Sequence, residues 1–501
     1  MGVRKLRSRT EVRSNDYFAS ASNLLLPGHT LMACFRTLLA SLSWGSLIAS
    51  FWLGAPALGQ SVTALTSNSL PPPQPKATGD ARQQQRLEQE ALIVPERFDL
   101  RRYPVGERHA THWRKTLWAT AVLEPQADYV GTGVASILAL ANARRLSDPQ
   151  KATVDLATQV GTQLYIGNPT LYRAIGRQFE AMIDRSKDPM WVAMALSALA
   201  KGGASAEEIS QWRDRIQTRF PQWSEDVFLR TTLTDLAAAE QPAPPLADLL
   251  TWQAVPGQPH LYVVCQSDRA VLCRAVLKDK RGRFVREGEA LWSVPLMLRS
   301  LHGVNWNFFH GQTPQGLYRI EGTIPQPDDE YFRAYGYFPL VNLFVPFEAG
   351  AKAFLPGQKG PFKGDLEDYL ALLPPSWRSH FPIQQSFWAG KVGRSLFRIH
   401  GSGEAPNFFS QRQGSPESYG WNPTIGCLSS LELYDEVGQL QQADMPKILA
   451  ALQAVGGRDF QGYMTVVEVP GDGQPIALET IEAAIAQAPS APSPSTYSSS
   501  R

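Results

Sequence analysis

The chain has 501 residues, of which 43% are hydrophobic and 19% are charged. This composition excludes a globally disordered protein and supplies enough apolar side chains for two or three domains. The 48 lysine and arginine residues nearly balance the 46 acidic residues, which argues against a protein that binds nucleic acid. The four cysteines are too few for a disulfide-dense scaffold or a cysteine-rich zinc protein.

The first predicted element is an apolar, uncharged stretch at residues 37–53. The small residues Ala57 and Gly59 follow it in the spacing that signal peptidase recognises. We therefore expect a secretory signal over residues 1–59, with Met32 as an alternative start, and export of the mature protein to the periplasm or cell envelope. If the signal is not cleaved, the same stretch would anchor the protein in the membrane.

A linker and then a helical domain are predicted after the signal. Residues 60–83 are rich in Ser, Thr, Pro and Gln and are expected to be disordered. Over residues 84–245 apolar side chains recur at the helical period, which predicts a helical bundle or an irregular helical array. The clearest boundary signals are the start of one helix at Asp188 and Pro189, its end at Gly202, and a capping box for the next helix at Ser205 and Glu208.

A strand-rich domain is predicted over residues 258–470. Its β-prone segments are short and are separated by Gly, Pro and Asp; they read LYVVCQ, AVLCRAVL, LFRIHG and YMTVVEV. Residues 365–373 and 443–455 carry helical patterns and are expected to be helical insertions. The predicted class is therefore α+β, with an N-terminal α-helical domain, a mostly β domain, and a disordered tail at residues 488–501.

Three cysteines lie beyond the predicted signal, so at least one of them has no partner within the chain. Cys265 and Cys273 lie in two neighbouring apolar runs. They could face each other across a hairpin and form a disulfide, or they could be two small buried hydrophobic residues. In either case Cys427 is left over, and an unpaired thiol in an exported protein is a candidate reactive group.

A histidine at the end of a predicted strand is a candidate partner for this thiol. The segment LFRIHG brings His400 and Gly401 to a strand end, and Cys427 follows Gly426 further along the chain. A cysteine is nucleophilic as the thiolate, and an adjacent imidazole can take its proton, which would lower the thiol pKa below its usual value of about 8.5. Gly426 would let backbone N–H groups face a developing oxyanion. Taken singly, each residue could instead be a buried structural side chain.

Three blocks, taken in order, resemble the L,D-transpeptidase catalytic domain, the YkuD-like family, over residues 258–470. The first is the strand pair that begins LYVVCQSDRAVLCRAVL. The second is GQTPQGLYRI at residues 311–320, which is similar to the family segment TP-x-G-x-[FY]-x-I. The third is IHG at residues 399–401 followed by TIGC at residues 424–427, which is similar to the family signature HG … [ST]-x-G-C. The resemblance implies a mostly β catalytic domain with helical insertions, and it covers none of the helical region.

The resemblance also implies a reaction. Cys427 would attack the carbonyl that follows the L-centre of a diamino-acid residue in a peptidoglycan stem peptide, D-alanine would leave, and a thioester would form. An amine of a neighbouring stem, or of another wall-linked acceptor, would then take the acyl group. His400 would be the general base and later the acid, and backbone N–H groups of Gly426 and Cys427 would face the oxyanion. No metal or other cofactor is implied. The expected substrate-binding residues are Gly401, Ser402, Thr424, Ser429 and Trp421.

Three features depart from the family pattern. Ile425 stands where many members have a histidine, and Ser429 stands where many have an arginine. The segment between His400 and Cys427 is longer than usual and contains aromatic residues that either contact substrate as a lid or pack onto the domain: Phe408, Phe409, Tyr419 and Trp421. Because of these departures, two alternatives stay open. One is a hydrolase of the same fold that cuts a wall crosslink or a wall-protein link. The other is a catalytically degenerate wall-binding or scaffold protein whose helical domain could bind a protein partner.

Overall fold

A computed structural model describes residues 71–239, 241–326, 336–402, 420–471 and 473–487 of the chain. These residues all belong to one compact unit, Val62–Arg501. The predicted signal, the first part of the predicted linker and the C-terminal tail lie outside the described residues.

The described part of the chain begins with nine α-helices that precede the first strand. They are α1 (Gly79–Glu90), α2 (Ala110–Leu123), α3 (Asp128–Leu138), α4 (Asp148–Gly167), α5 (Arg173–Arg185), α6 (Pro189–Lys201), α7 (Ala206–Arg219), α8 (Val227–Ala238) and α9 (Leu246–Thr251). The helical pattern predicted between residues 84 and 245 is therefore confirmed.

The predicted helix boundaries around residue 200 are confirmed by the capping contacts. The carboxylate of Asp188 accepts a hydrogen bond from the Met190 N–H, and α6 ends at Lys201, directly before Gly202. Ser205 and Glu208 form a reciprocal capping box at the start of α7. Each contact satisfies backbone donors that a helix leaves unpaired in its first turn.

The structure differs from the prediction at the end of the linker. Residues from Gly79 onward are helical, and the Thr78 hydroxyl caps this helix by accepting from the Ala81 N–H. Arg82 is buried and forms an ion pair with Glu436. A low apolar content therefore did not leave this segment unstructured, because a tertiary ion pair and a helix cap hold it.

Twelve strands are formed by the described residues. They are β1 (His260–Gln266), β2 (Cys273–Lys278), β3 (Arg286–Glu287), β4 (Ala290–Leu291), β5 (Ser293–Leu296), β6 (Gly316–Ile324), β7 (Leu340–Phe344), β8 (Arg398–Gly401), β9 (Leu428–Ser430), β10 (Glu432–Tyr434), β11 (Leu440–Ala443) and β12 (Gln461–Val469). Eight of them form one mixed sheet in the order β5-β2-β1-β12-β6-β7-β8-β9. Together with the helices, this sheet confirms an α+β class.

The sheet curls until its two edge strands meet. Within it, β1 pairs with β12 and β8 pairs with β9 in parallel, and the other neighbours are antiparallel. Beyond the end of β5, Met297 forms an antiparallel bridge with Ser429 of β9, with two backbone hydrogen bonds of 2.9 Å. This bridge joins the first and last strands of the sheet and so fixes the position of β9 from both sides.

Four further helices lie among the strands and after them, namely α10 (Leu366–Ala371), α11 (Gln385–Lys391), α12 (Met445–Gly456) and α13 (Leu478–Ala486). The two helical insertions predicted from the sequence correspond to α10 and α12. One face of the sheet packs against α12. The other face packs against α9, α10, α11 and α13. A third core joins α2–α8, and side chains between β5 and β6 belong to it as well.

Cys265 and Cys273 form a disulfide, which decides between the two interpretations that the sequence left open. Both residues are buried, and the bond joins the end of β1 to the start of β2 across a separation of eight positions. Within the loop that it closes, Arg269 pairs with Glu468 of β12 at 2.6 Å. Cys427 is the free cysteine of the described residues.

Among the described residues, no helix combines the length and the apolar character that crossing a membrane requires.

Candidate active site

The parallel pairing of β8 with β9 sets the register between His400 and the segment that follows the cysteine. Ile399 pairs with Leu428, and His400 pairs with Ser429. Ile399 and Leu428 both belong to the core on the α12 face. Because successive side chains of a strand alternate between the two faces, His400 and Ser429 point to the opposite face. Cys427 directly precedes β9.

The thiol of Cys427 lies against the start of β8. Its sulfur donates a hydrogen bond to the carbonyl of Leu396 at 3.5 Å, not to the imidazole. Only 6% of the residue is exposed. Burial raises the thiol pKa, and the nearby Arg398 guanidinium and backbone N–H, together with Arg394, oppose this increase only in part. The expected lowering of the thiol pKa is therefore not found in this structure, because burial outweighs the two guanidinium groups.

The imidazole of His400 is held in one tautomer. Nδ1 lies 2.8 Å from the carbonyl oxygen of Gly401. Because a carbonyl can only accept, Nδ1 carries the proton and Nε2 is the basic nitrogen. Burial lowers the pKa of His400 to about 4, so the ring is neutral at neutral pH. The backbone of Arg398 lies beside Cys427. His400 is two residues further along the strand, so its Cα atom is roughly 6–7 Å from that of Arg398.

The cysteine turn, residues 424–427, is shaped by its glycine and its threonine. Gly426 has φ of +127°, a conformation that side chains with a Cβ rarely adopt, and a Cβ there would overlap the guanidinium of Arg394. The Gly426 N–H donates to the Thr424 hydroxyl at 3.2 Å, and that hydroxyl donates to the Cys427 carbonyl at 2.7 Å. In this conformation the Gly426 N–H is therefore engaged within the turn and does not face an oxyanion position. Thr424, an expected substrate-binding residue, has a structural contact here.

The second and third sequence blocks meet at this turn. The hydroxyl of Thr313 donates to the carbonyl of Gly426 at 3.0 Å, and Thr313 is fully buried. The guanidinium of Arg394 donates to the carbonyls of Trp306, Gly311 (2.8 Å) and Gln312 (2.7 Å) while lying against Gly426. Sequence reasoning missed Arg394, because no motif distinguishes it from a surface arginine. The structure gives it three carbonyl partners that come from a distant part of the chain.

The remaining expected residues lie around the end of β8. Gly401 packs against the side chain of Glu432. Ser402, an expected substrate-binding residue, is buried, and its hydroxyl donates to the Glu432 carbonyl at 3.2 Å. The Ser429 hydroxyl and the indole nitrogen of Trp421 are buried without a hydrogen-bond partner among the described residues. Phe408, Phe409 and Tyr419 lie outside the described residues.

Two buried carboxyl groups beside the site were not found from the sequence. Glu348 accepts from the backbone N–H groups of Leu396 (2.8 Å) and Val345 (3.1 Å), and it holds Leu396 at φ of +65° with its carbonyl towards the thiol. Glu432 accepts from the N–H of Tyr337 at 2.6 Å and from the hydroxyl of Tyr434. Burial raises the pKa of each carboxyl to about 7. The signal for both is weak in sequence, since each is an ordinary acidic residue near a strand.

Among the described residues, no group of three or more His, Cys, Asp or Glu side chains could hold a metal ion.

Three other histidines have structural contacts. The imidazole of His112 stacks on the ring of Tyr103 with the centroids 3.8 Å apart, and its Nε2 is hydrogen-bonded to the Arg97 carbonyl at 2.9 Å. The two histidines nearest the second sequence block, His302 and His310, are each bonded to a glutamine of α4.

No protein-family model matches this chain, and comparisons with curated proteins and with solved structures find no match either.

Proposed function

We propose that the chain is an exported cysteine L,D-transpeptidase that acts on peptidoglycan stem peptides. The order of the three sequence blocks supports this proposal. So does the contact between the second and third blocks, where the Thr313 hydroxyl donates to the Gly426 carbonyl, and the pairing of His400 with Ser429. The observation that carries it is the bond from Nδ1 of His400 to Gly401. That hydrogen bond puts the proton of the neutral ring on Nδ1, so Nε2 is the nitrogen that would act as the base toward the thiol of Cys427.

In the proposed reaction, Nε2 of His400 takes the Sγ proton as the sulfur of Cys427 bonds to the carbonyl carbon of the diamino-acid residue. The tetrahedral intermediate then breaks its C–N bond, and the imidazolium gives its proton to the departing amine of D-alanine. A thioester remains. The acceptor amine attacks the same carbon and loses a proton to Nε2, the C–S bond breaks, and the sulfur regains its proton from the imidazolium. The products are an amide and the original enzyme.

The proposal requires the thiol to be uncovered when substrate binds. The sulfur donates to the Leu396 carbonyl in this structure. Leu396 is 45% exposed, and its backbone is held in a left-handed conformation. A strained residue at the edge of a site is a common place for such a movement. Displacement of the Leu396 carbonyl would free the S–H for transfer to Nε2.

The burial of the thiol also favours a second candidate function, a wall-binding or scaffold protein of the same fold without catalysis. An inert structural cysteine is also buried and has a raised thiol pKa, and Cys427 is 6% exposed with its thiol pKa raised by burial. The two candidates differ in whether Cys427 ever forms a covalent bond to a ligand.

The test is to incubate the purified protein with a carbapenem, a class that acylates the L,D-transpeptidase family, and to measure the intact mass. We expect one adduct in the wild type and none in Cys427→Ala. Incubation with tetrapeptide stems should release D-alanine and join the acyl group to an added amine. Release with water as the acceptor would instead identify the hydrolase. If the wild type forms no adduct and releases no D-alanine, and if Cys427→Ala binds cell wall as the wild type does, the enzymatic proposal is overturned in favour of a binding protein.

A further inference from the structure

The loop between β5 and β6 is held by side chains of the helical region. We define residues 299–312 as the junction loop. Its side-chain hydrogen bonds to the helices are His302 Nδ1 with Gln163 Oε1 (3.1 Å), His310 Nδ1 with Gln159 Oε1 (2.7 Å), Trp306 Nε1 to Asp235 Oδ1 (3.0 Å), and Asn307 Nδ2 to the hydroxyls of Thr231 and Thr232 (2.9 Å each). Helices α4 and α8 therefore determine where this loop lies.

Apolar contacts fix the same loop. Leu301, Val304 and Phe308 are buried in the core of the helical region. The ring of Phe308 stacks on that of Phe228 of α8 with the centroids 6.1 Å apart. A loop whose apolar side chains belong to the helical core cannot move without disturbing that core.

The junction loop is bonded directly to the cysteine turn. The Leu301 N–H donates to the Thr424 carbonyl at 2.7 Å, and the Thr424 N–H donates to the Arg299 carbonyl at 3.0 Å. Arg394 adds a second connection, since it binds carbonyls of the loop while lying against Gly426. The position of the turn therefore follows the position of the loop.

One side chain of the turn also contacts the helical core directly. Ile425, half-buried, packs against the same cluster that holds Leu301, Val304 and Phe308. The apolar side chain of isoleucine fits the core beside it.

We infer that the helical region is a positioning element for Cys427, and that Ile425 is the positioning residue through which the helical core holds the cysteine turn. By this inference the helical region supports the candidate active site. The sequence had suggested instead that it could bind a protein partner. Only the predicted effect on acylation rests on the proposed function. The accessibility and the pH midpoint of the Cys427 thiol can be measured without a substrate.

The test compares two identical substitutions in the same core. Ile425→Ala weakens the contact that holds the turn, so the sulfur should become more accessible and less desolvated. We expect alkylation of Cys427 by iodoacetamide to be about tenfold faster at pH 8, with its pH midpoint shifted towards the ordinary thiol value of about 8.5. Ile425→Val, which removes one methyl group, should stay close to the wild type. Ile216→Ala is the matched control. Ile216 is fully buried in the same cluster but lies in α7, which makes none of the junction contacts described above.

We expect Ile216→Ala to lower the melting temperature more than Ile425→Ala and to leave alkylation unchanged. If Ile425→Ala alkylates at the wild-type rate with the wild-type pH midpoint, or if Ile216→Ala accelerates alkylation equally, the inference is overturned. Carbapenem acylation separates it from the proposed function. If no variant forms an adduct while the alkylation difference persists, the enzymatic proposal fails and the positioning role stands. If the wild type forms the adduct, Ile425→Ala should form it more slowly, because the turn is displaced.

Discussion

The buried carboxyl group of Glu432 lies directly against the Cα atom of Gly401, where β8 ends. The carbonyl of Gly401 in turn accepts a hydrogen bond from the Nδ1–H of His400. Glu432 is held in place by the N–H of Tyr337 and by the hydroxyl of Tyr434. A glycine is needed after His400 because no space exists for a Cβ, and this contact links a buried acid to the orientation of the imidazole.

We expect Gly401→Ala to destabilise the protein by about 2 kcal/mol or more, because the new methyl group overlaps the Glu432 carboxyl and one of the two must move. Chemical denaturation would measure the free energy of unfolding. Gly167→Ala is the control, since a Cβ at Gly167 meets no atom within 4 Å. Equal stability of the two variants would show that the carboxyl of Glu432 moves without cost.

The pH dependence of stability should change in Glu432→Gln. Burial raises the pKa of Glu432 from 4.5 to about 7, so the folded protein keeps a proton that the unfolded chain releases in that interval. The stabilisation from this group is fully present below pH 4.5 and is lost as the pH rises through about 7. Glutamine cannot ionise, so the variant should gain about 3 kcal/mol relative to the wild type between pH 4.5 and pH 8. Denaturation at a series of pH values measures this difference.

The matched control for that measurement is Glu225→Gln, at an exposed position. Its stability difference from the wild type should stay constant with pH over the same interval. A constant difference for Glu432→Gln as well would mean that the Glu432 carboxyl titrates normally.

Thr313→Val should weaken the connection between the second sequence block and the cysteine turn. Valine keeps the shape but removes the donor, which leaves the buried carbonyl of Gly426 without the bond it accepts from Thr313. We expect a loss of about 1–2 kcal/mol in the free energy of unfolding. Thr132→Val, on an exposed face of α3, should change stability by less than about 0.5 kcal/mol. A loss no larger than in the control would indicate that the Gly426 carbonyl finds another donor.

Removal of the disulfide by the double change Cys265→Ala and Cys273→Ala should destabilise the protein by about 2–3 kcal/mol, since the bond closes a loop of eight positions. Thermal unfolding of wild type and variant measures the change. Reducing agent should lower the melting temperature of the wild type and leave that of the variant unaltered. If reductant lowers both equally, the effect does not come from this bond.

Local patterns were sufficient for much of the secondary structure. Ser205 and Glu208 form a capping box because the two residues are only three positions apart, and a helix brings such neighbours together in any context. The number of cysteines alone predicted that one of them is unpaired. The alternation of turn residues and β-prone runs predicted the strand-rich part of the chain. In contrast, the sequence could not decide whether Cys265 and Cys273 are bonded, because that depends on the pairing of β1 with β2.

The tertiary structure decided the environment of the candidate site. Local residue patterns were enough to predict one unpaired thiol, one histidine at a strand end and one glycine turn, and the order in which they follow. Only the fold decided that the thiol donates to Leu396, that Glu432 fills the space beside Gly401, and that the helical core reaches Ile425. The physical reason is that burial and charge set the pKa of a group and the freedom of a turn. Both depend on residues distant in the sequence that only chain folding brings into contact.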